Sequence, residues 1–443
     1  MDGPAELSRA VAAQTDDEQR KRVAQVVRDE HSFDARARQI VNDIFGYLHL
    51  RQPFAESVGA ALPWHPAATG PTLRSPVALA GAVDNEPHQP LAVGALFMRN
   101  AVGYQSSAYI RVLSPLTADA NFANVRVVSD SDPHRLAIDS LDALVIGRTA
   151  LSDLEAAKQL MTQTRDAGVA VVVDVDDSFG SITPGTSEYE LYQPRLEALR
   201  YVVESADAVS VSTPGIAEAF DLVDDPRVRV VANTLDPRWW RRYPRPGQVA
   251  PRDPKAPIRA LYMGTATHDE DFEVIVEALD EWASADDVEL TIIGAVRNPP
   301  KRPWLSTLAV PAGLGLYPRF VHWLVDQPQF DIGLAPLQDN EFNAGKSDIK
   351  FLDYCALGAV PVLSDTRSYE GDSHEAGRAY HGADTTTWLA ALRAASAEVR
   401  SGARIDERRD WLWQHRSAHQ AGKQLLDLIQ HVRSPDVEKV APG

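Results

Sequence analysis

The chain of 443 residues has one cysteine, Cys355, inside an apolar stretch. A single thiol excludes an internal disulfide framework and any CxxC metal site, and it fits a reducing cytoplasm. Long apolar runs are also missing, and nothing approaches the ~18 consecutive residues of a membrane-spanning helix. The N-terminal "MDGPAELSRAVAAQTDDEQRKR" lacks the apolar core of a signal peptide, so a cytoplasmic protein is expected. Basic charge is short as well, with 44 Lys+Arg against 62 Asp+Glu and a formal net charge of −18. Such a field repels nucleic acid and anionic membrane surfaces, so any anionic ligand needs a local cationic pocket.

A chain with 44% hydrophobic and 24% charged residues belongs to the globular class, and its length exceeds what one core organises. Two domains and an extension are expected. Residues 5 to 50 carry Val23, Val26, Val27, Ile40, Ile44 and Leu48 at helical spacing, followed by the Pro/Gly/Ala-rich "ALPWHPAATGPTLRSPVALAGAVDNEPHQP". Residues 1–90 therefore read as a helical extension and linker, a surface for a protein partner or for self-association.

From Leu91 short apolar runs alternate with helical patterns: "LAVGALF", "VRVVS", "LDALVIG", "GVAVVVDVDD", "ADAVSVST" and "VRVVAN". This alternation predicts βαβ units and a mostly parallel sheet. The proline-rich "RRYPRPGQVAPRDPKAP" separates a second series, "IRALYMG", "VELTIIG", "RFVHWL", "FDIGLAP" and "AVPVLSD". The expected domains are 91–250 and 251–410, with a closing helix and tail over 411–443.

"FNAGKSDIKFLDYCALGAVPVLSD", Phe342 to Asp365, sets cations in an otherwise apolar segment. Read as a helix from Lys346 to Leu357, it puts Lys346, Lys350 and Asp353 on one face. Cations at a helix N-terminus oppose its dipole unless an anion binds there, where free N–H groups and ammonium groups converge. A diphosphate suits that place. Asn343 or Ser347 would cap this helix, Gly358 would end it in a left-handed conformation, and Asp353 would accept from ribose or sugar hydroxyls. The competing reading is a buried Lys–Asp network that only holds register; two lysines for one aspartate leave a positive charge over.

This segment resembles the GT-B glycosyltransferases, in particular the group-1 or GT4-like clan, whose pattern has an Asn, a Lys-Ser pair, a second Lys and an acidic residue before an Ala-Leu-Gly turn. "LYMGTATHDEDFEVIVEALDEW" is similar to the opening of that family's donor-binding domain, and "VVVDVDDSFG", "ADAVSVSTPGIAEAF" and "VRVVANTLDPRWW" to segments of the first domain. The resemblance spans about residues 92 to 370. It implies an α/β fold of two Rossmann-like domains facing across a cleft, a nucleotide diphosphate sugar on the second, an acceptor on the first, and no metal or other cofactor. Where many retaining members have two glutamates eight apart, this chain has Gly345 and Asp353, and neither retention nor inversion is assigned.

On this reading Lys346 neutralises the leaving diphosphate, and Gly264, Thr265, Asn343, Ser347, Lys350 and Asp353 bind the donor. Asp176 or Asp177, after a strand, orients or deprotonates an acceptor hydroxyl, or the pair only caps a loop. Arg111 and Arg148 follow strand-like runs and face the acceptor. His268 approaches the donor phosphates, or "HDED" is the acidic first turn that a helix dipole favours. Trp323, with His322, borders a base or sits in a core. Asp174 and Asp176 form a DxD that would hold a metal in a GT-A transferase. A noncatalytic sugar-nucleotide-binding partner protein is a further alternative. His415 and His419, four apart on the terminal helix, lack a third ligand and read as surface residues.

Overall fold

The computed structural model describes residues 90–100, 103–118, 125–177, 187–240, 253, 255–264, 269–401 and 405–433. The chain divides into Met1–Asp84 and Asn85–Gly443. The expected extension over residues 1–90 falls outside the described residues apart from Pro90, as does most of the proline-rich run.

The first sheet of the second unit is built from β1 (Leu91–Leu96), β4 (Val125–Asp130), β5 (Ala143–Gly147), β6 (Ala170–Val175), β7 (Ala208–Val211) and β8 (Val228–Val230), a hairpin of β2 (Arg99–Asn100) and β3 (Gly103–Tyr104) lying between β1 and β4 in the chain. All six strands are parallel, in the order β4-β1-β5-β6-β7-β8. The apolar runs of the first series each form one of them. Every residue of β6 is buried, because helices cover both faces of such a sheet.

The second sheet contains β9 (Ile258–Met263), β10 (Val288–Ile293), β11 (Leu305–Thr307), β12 (Ile332–Ala335), β13 (Val360–Ser364) and β14 (Tyr380–Gly382). They are parallel in the order β11-β10-β9-β12-β13-β14, the arrangement of a dinucleotide-binding sheet. One expected strand is corrected: "RFVHWL" lies in the helix Tyr317–Val325. Its buried Pro318, Val321, His322, Leu324 and Val325 follow a 3.6-residue period, which a short apolar run does not distinguish from a strand.

The helices that matter for the site are α1 (Leu154–Asp166), α2 (Ser187–Ser205), α3 (Pro214–Ala219), α4 (Pro237–Trp240), α5 (Asp269–Glu273), α6 (Val276–Ala285), α7 (Tyr317–Val325), α8 (Glu341–Ala344), α9 (Ile349–Leu357), α10 (Thr385–Ser401), α11 (Ile405–His415) and α12 (Ala418–Arg433). α1 shows the local logic. Asp153 caps it through the Ala156 amide at 2.9 Å, and Ala157, Leu160, Met161 and Thr164 form its buried stripe.

α1 and α2 cover one face of the first sheet; α12 covers the other, packing Leu425, Leu428 and Ile429 against Val93, Ala95, Val145 and Val172. The last helix thus completes the core of the first sheet. In place of a single closing helix there are two, α11 and α12, which part at Arg416 and Ser417. Leu235 forms a β-bridge with Ser417 at this break. Trp282 of α6 and Trp388 of α10 fill the core of the second sheet. Cys355 is buried in α9, where burial pushes its thiol up to about 12, so it is held as an inert apolar group. No helix among the described residues is long and apolar enough to cross a membrane.

Candidate functional site

In an open parallel sheet a ligand sits beyond the carboxyl ends of the strands, where the strand order reverses. In the second sheet that point lies between β9 and β12. Gly264 follows β9 directly, its amide donating to Ile293 O at 3.0 Å, while Thr265 and His268 fall outside the described residues. After β12 the chain enters α8, capped by Asn340, whose side chain accepts from the Asn343 amide at 2.8 Å.

The helix expected from Lys346 starts later. α8 ends at Ala344, the chain turns through Gly345 to Ser347, and α9 begins after Asp348. Neither Asn343 nor Ser347 caps α9; the capping position is Asp348, which makes no side-chain cap bond. The reason is tertiary: both Asp348 carboxylate oxygens accept from Arg416, at 2.9 and 2.7 Å. The three-residue charged stripe is accordingly split. Lys350 pairs with Asp353 at 3.2 Å on α9, and Lys346 stands in the preceding turn. Gly358 ends α9 with φ 73° and ψ 20°, the left-handed cap expected of it.

Lys346 is half-buried. Burial holds its ammonium below the usual lysine range, and the nearby Asp271 carboxylate pulls the other way. Asp271, the last residue of the acidic "HDED" run, was not singled out from the sequence. From α5 its Oδ1 accepts from the Gln338 amide at 2.8 Å and from Asn343 Nδ2 at 3.3 Å. One buried carboxylate therefore ties the segment after β9 to the segment after β12, across the point where the strand order reverses. The Asn343 carbonyl accepts from the Ser368 hydroxyl, so the segment after β13 joins them.

Asp353 is buried, and burial pushes its carboxyl above the usual range against the pull of Lys350. Trp323 is partly buried on α7, its ring 5.9 Å from that of Phe320; His322 on the same helix is buried.

The turn that carries Lys346 is held from the first sheet. Thr213 caps α3 through the Ile216 amide and also donates to Gly345 O at 2.9 Å. A Cβ on Gly215 would meet Ala344 O at 2.8 Å, so only glycine permits this approach. Asn233 Nδ2 donates to Ser347 Oγ at 2.7 Å, while Arg416 Nε donates to Asn233 O at 3.0 Å. Ser347, expected on the donor, thus joins the two halves. At the rim Arg367 and Glu218 form a further exposed ion pair between them.

At the corresponding point of the first sheet, between β1 and β5, a small open depression is lined in part by Phe97, Met98, Gln105, Arg148, Thr149 and Asp176. Arg148 lies 3.1 Å from Asp176 and 3.0 Å from Asp177, all three partly exposed. This brings the expected acceptor-side cation onto the expected base pair. Arg111 differs from expectation. It lies in the helical segment Ala108–Leu113 rather than after a strand, and it is 2% exposed. Its guanidinium grips Asp174 through two bonds of 3.1 and 2.8 Å and reaches Asn233 Oδ1, Ser210 Oγ and Val231 O. A metal on Asp174 would have to displace that guanidinium. His415 ends α11, stacked on Trp411, and His419 belongs to α12, so the two do not share one helix.

No family model matches the chain, and no curated protein matches it by sequence. Solved structures do match in shape. HepE from Anabaena in complex with UDP superposes with a TM-score of 0.50 at 9% identity, over 77% of this chain and 100% of its own. A glycosyltransferase from Rickettsia africae gives 0.52 at 8% identity, covering 79% and 100%. An alpha-glucosyltransferase in complex with UDP and a 13-mer DNA containing a HMU base gives 0.51 at 13% identity, covering 77% and 100%. The chain has the GT-B fold of these proteins, two parallel α/β sheets of six strands each.

Proposed function

We propose that this GT-B chain is a glycosyltransferase that moves a hexosyl group from a nucleoside diphosphate sugar to an acceptor hydroxyl. The observation that carries the reading is Lys346, a half-buried cation at the strand-order reversal of a dinucleotide-type sheet. The acceptor oxygen attacks the anomeric carbon, the bond from that carbon to the diphosphate breaks, and the acceptor proton passes to Asp176 or Asp177. Lys346, with Lys350 behind it, stabilises the charge that develops on the leaving diphosphate. Gly264, which has no side chain, leaves room for the donor phosphates directly after β9; the donor roles given to Thr265 and His268 rest on the sequence alone. The Arg148 guanidinium, 3.1 Å from Asp176 and 3.0 Å from Asp177, holds the two carboxylates in position. The reaction proceeds without a metal, because ammonium groups fill the place of a divalent cation.

UDP heads the nucleotides to test, since HepE and the alpha-glucosyltransferase were solved with it. In a thermal-shift panel of UDP, GDP, dTDP and ADP, one nucleotide raises stability, by about 2.7 kcal/mol at a hundredfold excess over its Kd. Adding Mn²⁺ or Mg²⁺ leaves the shift unchanged. If no nucleotide binds under any condition, the reading fails; binding without turnover of any sugar nucleotide would favour a sensor or partner protein instead. The GT-A alternative is set aside by the fold itself.

Nucleotide affinity also depends on pH with a defined sign. Lys346 is charged below its pKa, and that pKa lies below the ordinary lysine value of 10.5. Affinity for the diphosphate therefore falls as pH rises through the alkaline range, earlier than an ordinary lysine would lose its proton. Isothermal titration across that range checks this, and Lys346→Arg, which stays charged, flattens the curve.

A further inference from the structure

The segment from β13 to β14 contains three side chains that the transfer reaction does not use. Asp365 directly follows β13, His374 lies midway, and His381 is the central residue of β14. Strand register brings the ends together: Leu363 lies opposite His381, and the Asp365 amide donates to Gly382 O at 3.0 Å. The ligand-capable atoms of Asp365, His374 and His381 all lie within 4.8 Å of one another. His374 Nε2 is 3.6 Å from an Asp365 carboxylate oxygen, and the two imidazoles stack with centroids 3.7 Å apart at 15°.

We propose that Asp365, His374 and His381 form a binding site for a divalent late first-row transition metal, of which zinc is the representative. Two imidazole nitrogens and one carboxylate oxygen are the donor set that such ions prefer, whereas magnesium and calcium select oxygen alone. Zinc–nitrogen bonds are about 2.0–2.1 Å, so the donors must draw together by about an ångström. The Asp365 and His374 side chains, 57% and 41% exposed, are free to make that adjustment. Ser373 Oγ lies 3.5 Å from His381 Nε2 and steadies the ring from outside the triad.

The consequence is mechanical. The same segment sends Ser368 to the Asn343 carbonyl and Asp372 to Arg416 at 2.5 Å, and Arg416 in turn holds Asp348. A cation bound to both ends and the middle of this segment stiffens the wall behind the Lys346 turn without touching the reacting atoms. The metal is structural, and its binding is measured independently of glycosyl transfer.

The test uses full-length, tag-free protein dialysed against EDTA and titrated calorimetrically with zinc chloride. One zinc binds per chain, magnesium does not compete, and zinc raises the melting temperature. His374→Ala, at an exposed position, lowers zinc affinity roughly tenfold or more, as does Asp365→Asn, while the parent fold is retained by circular dichroism. The double variant His415→Ala/His419→Ala binds zinc like the parent. Absence of stoichiometric binding, or binding that is unchanged in His374→Ala and Asp365→Asn, overturns the proposal.

Discussion

Lys346→Ala lowers kcat by about 10²–10³-fold, the usual effect of removing one preorganised group from a developing negative charge. Nucleotide affinity falls with it, because the ammonium meets the diphosphate in the ground state as well. Stability does not fall. Burial already disfavours this ammonium, so the cost that truncation relieves offsets the loss of its attraction to Asp271. Lys350→Ala contrasts with this: it strips Asp353, a buried carboxyl 3.2 Å away, of its cation and so lowers stability. Release of nucleoside diphosphate, followed beside thermal unfolding for both variants, separates the two lysines. A Lys346→Ala protein that binds and turns over like the parent would remove that residue from the site.

Arg111→Met destabilises the protein by about 3–5 kcal/mol, the cost of leaving one partner of a buried ion pair uncompensated. Asp174 is 3% exposed and both its oxygens accept from Arg111, so its charge has no other outlet. The double variant Arg111→Met/Asp174→Leu recovers much of the loss, because no charge then remains buried. Urea unfolding of the parent, both single variants and the double variant gives the coupling directly. If Arg111→Met unfolds at the parent's urea concentration, the pair is not structural. The effect changes how a DxD substitution is read here: lost activity in Asp174→Ala reports the fold before it reports any metal.

Much of the site was legible because its signals are local. The apolar runs of the first series alternate at a period that neighbouring residues set, and each formed the expected strand. Gly358 was placed as a left-handed cap because a helical pattern stops there and a strand begins. Lys346 stood out because a cation in a buried segment needs a reason. The start of α9 was not legible, since it depends on Arg416, 68 residues after the Asp348 it binds. Asp271 was hidden by its setting: an acidic residue in a first helical turn already has a local explanation.

By itself, the order of residues along the chain determined two parallel α/β series and marked a cation-bearing segment between two strands of the second. These follow from periodicity and from residue types that act on their immediate neighbours. Only the tertiary structure decided which charges meet. It buried Arg111 against Asp174, set Arg148 between Asp176 and Asp177, returned the last helix to the first sheet, and gathered Asp365, His374 and His381 at one edge of the second. Such pairings depend on strand register and on contacts between residues far apart in the chain, where the strength of an ion pair is set by burial and distance.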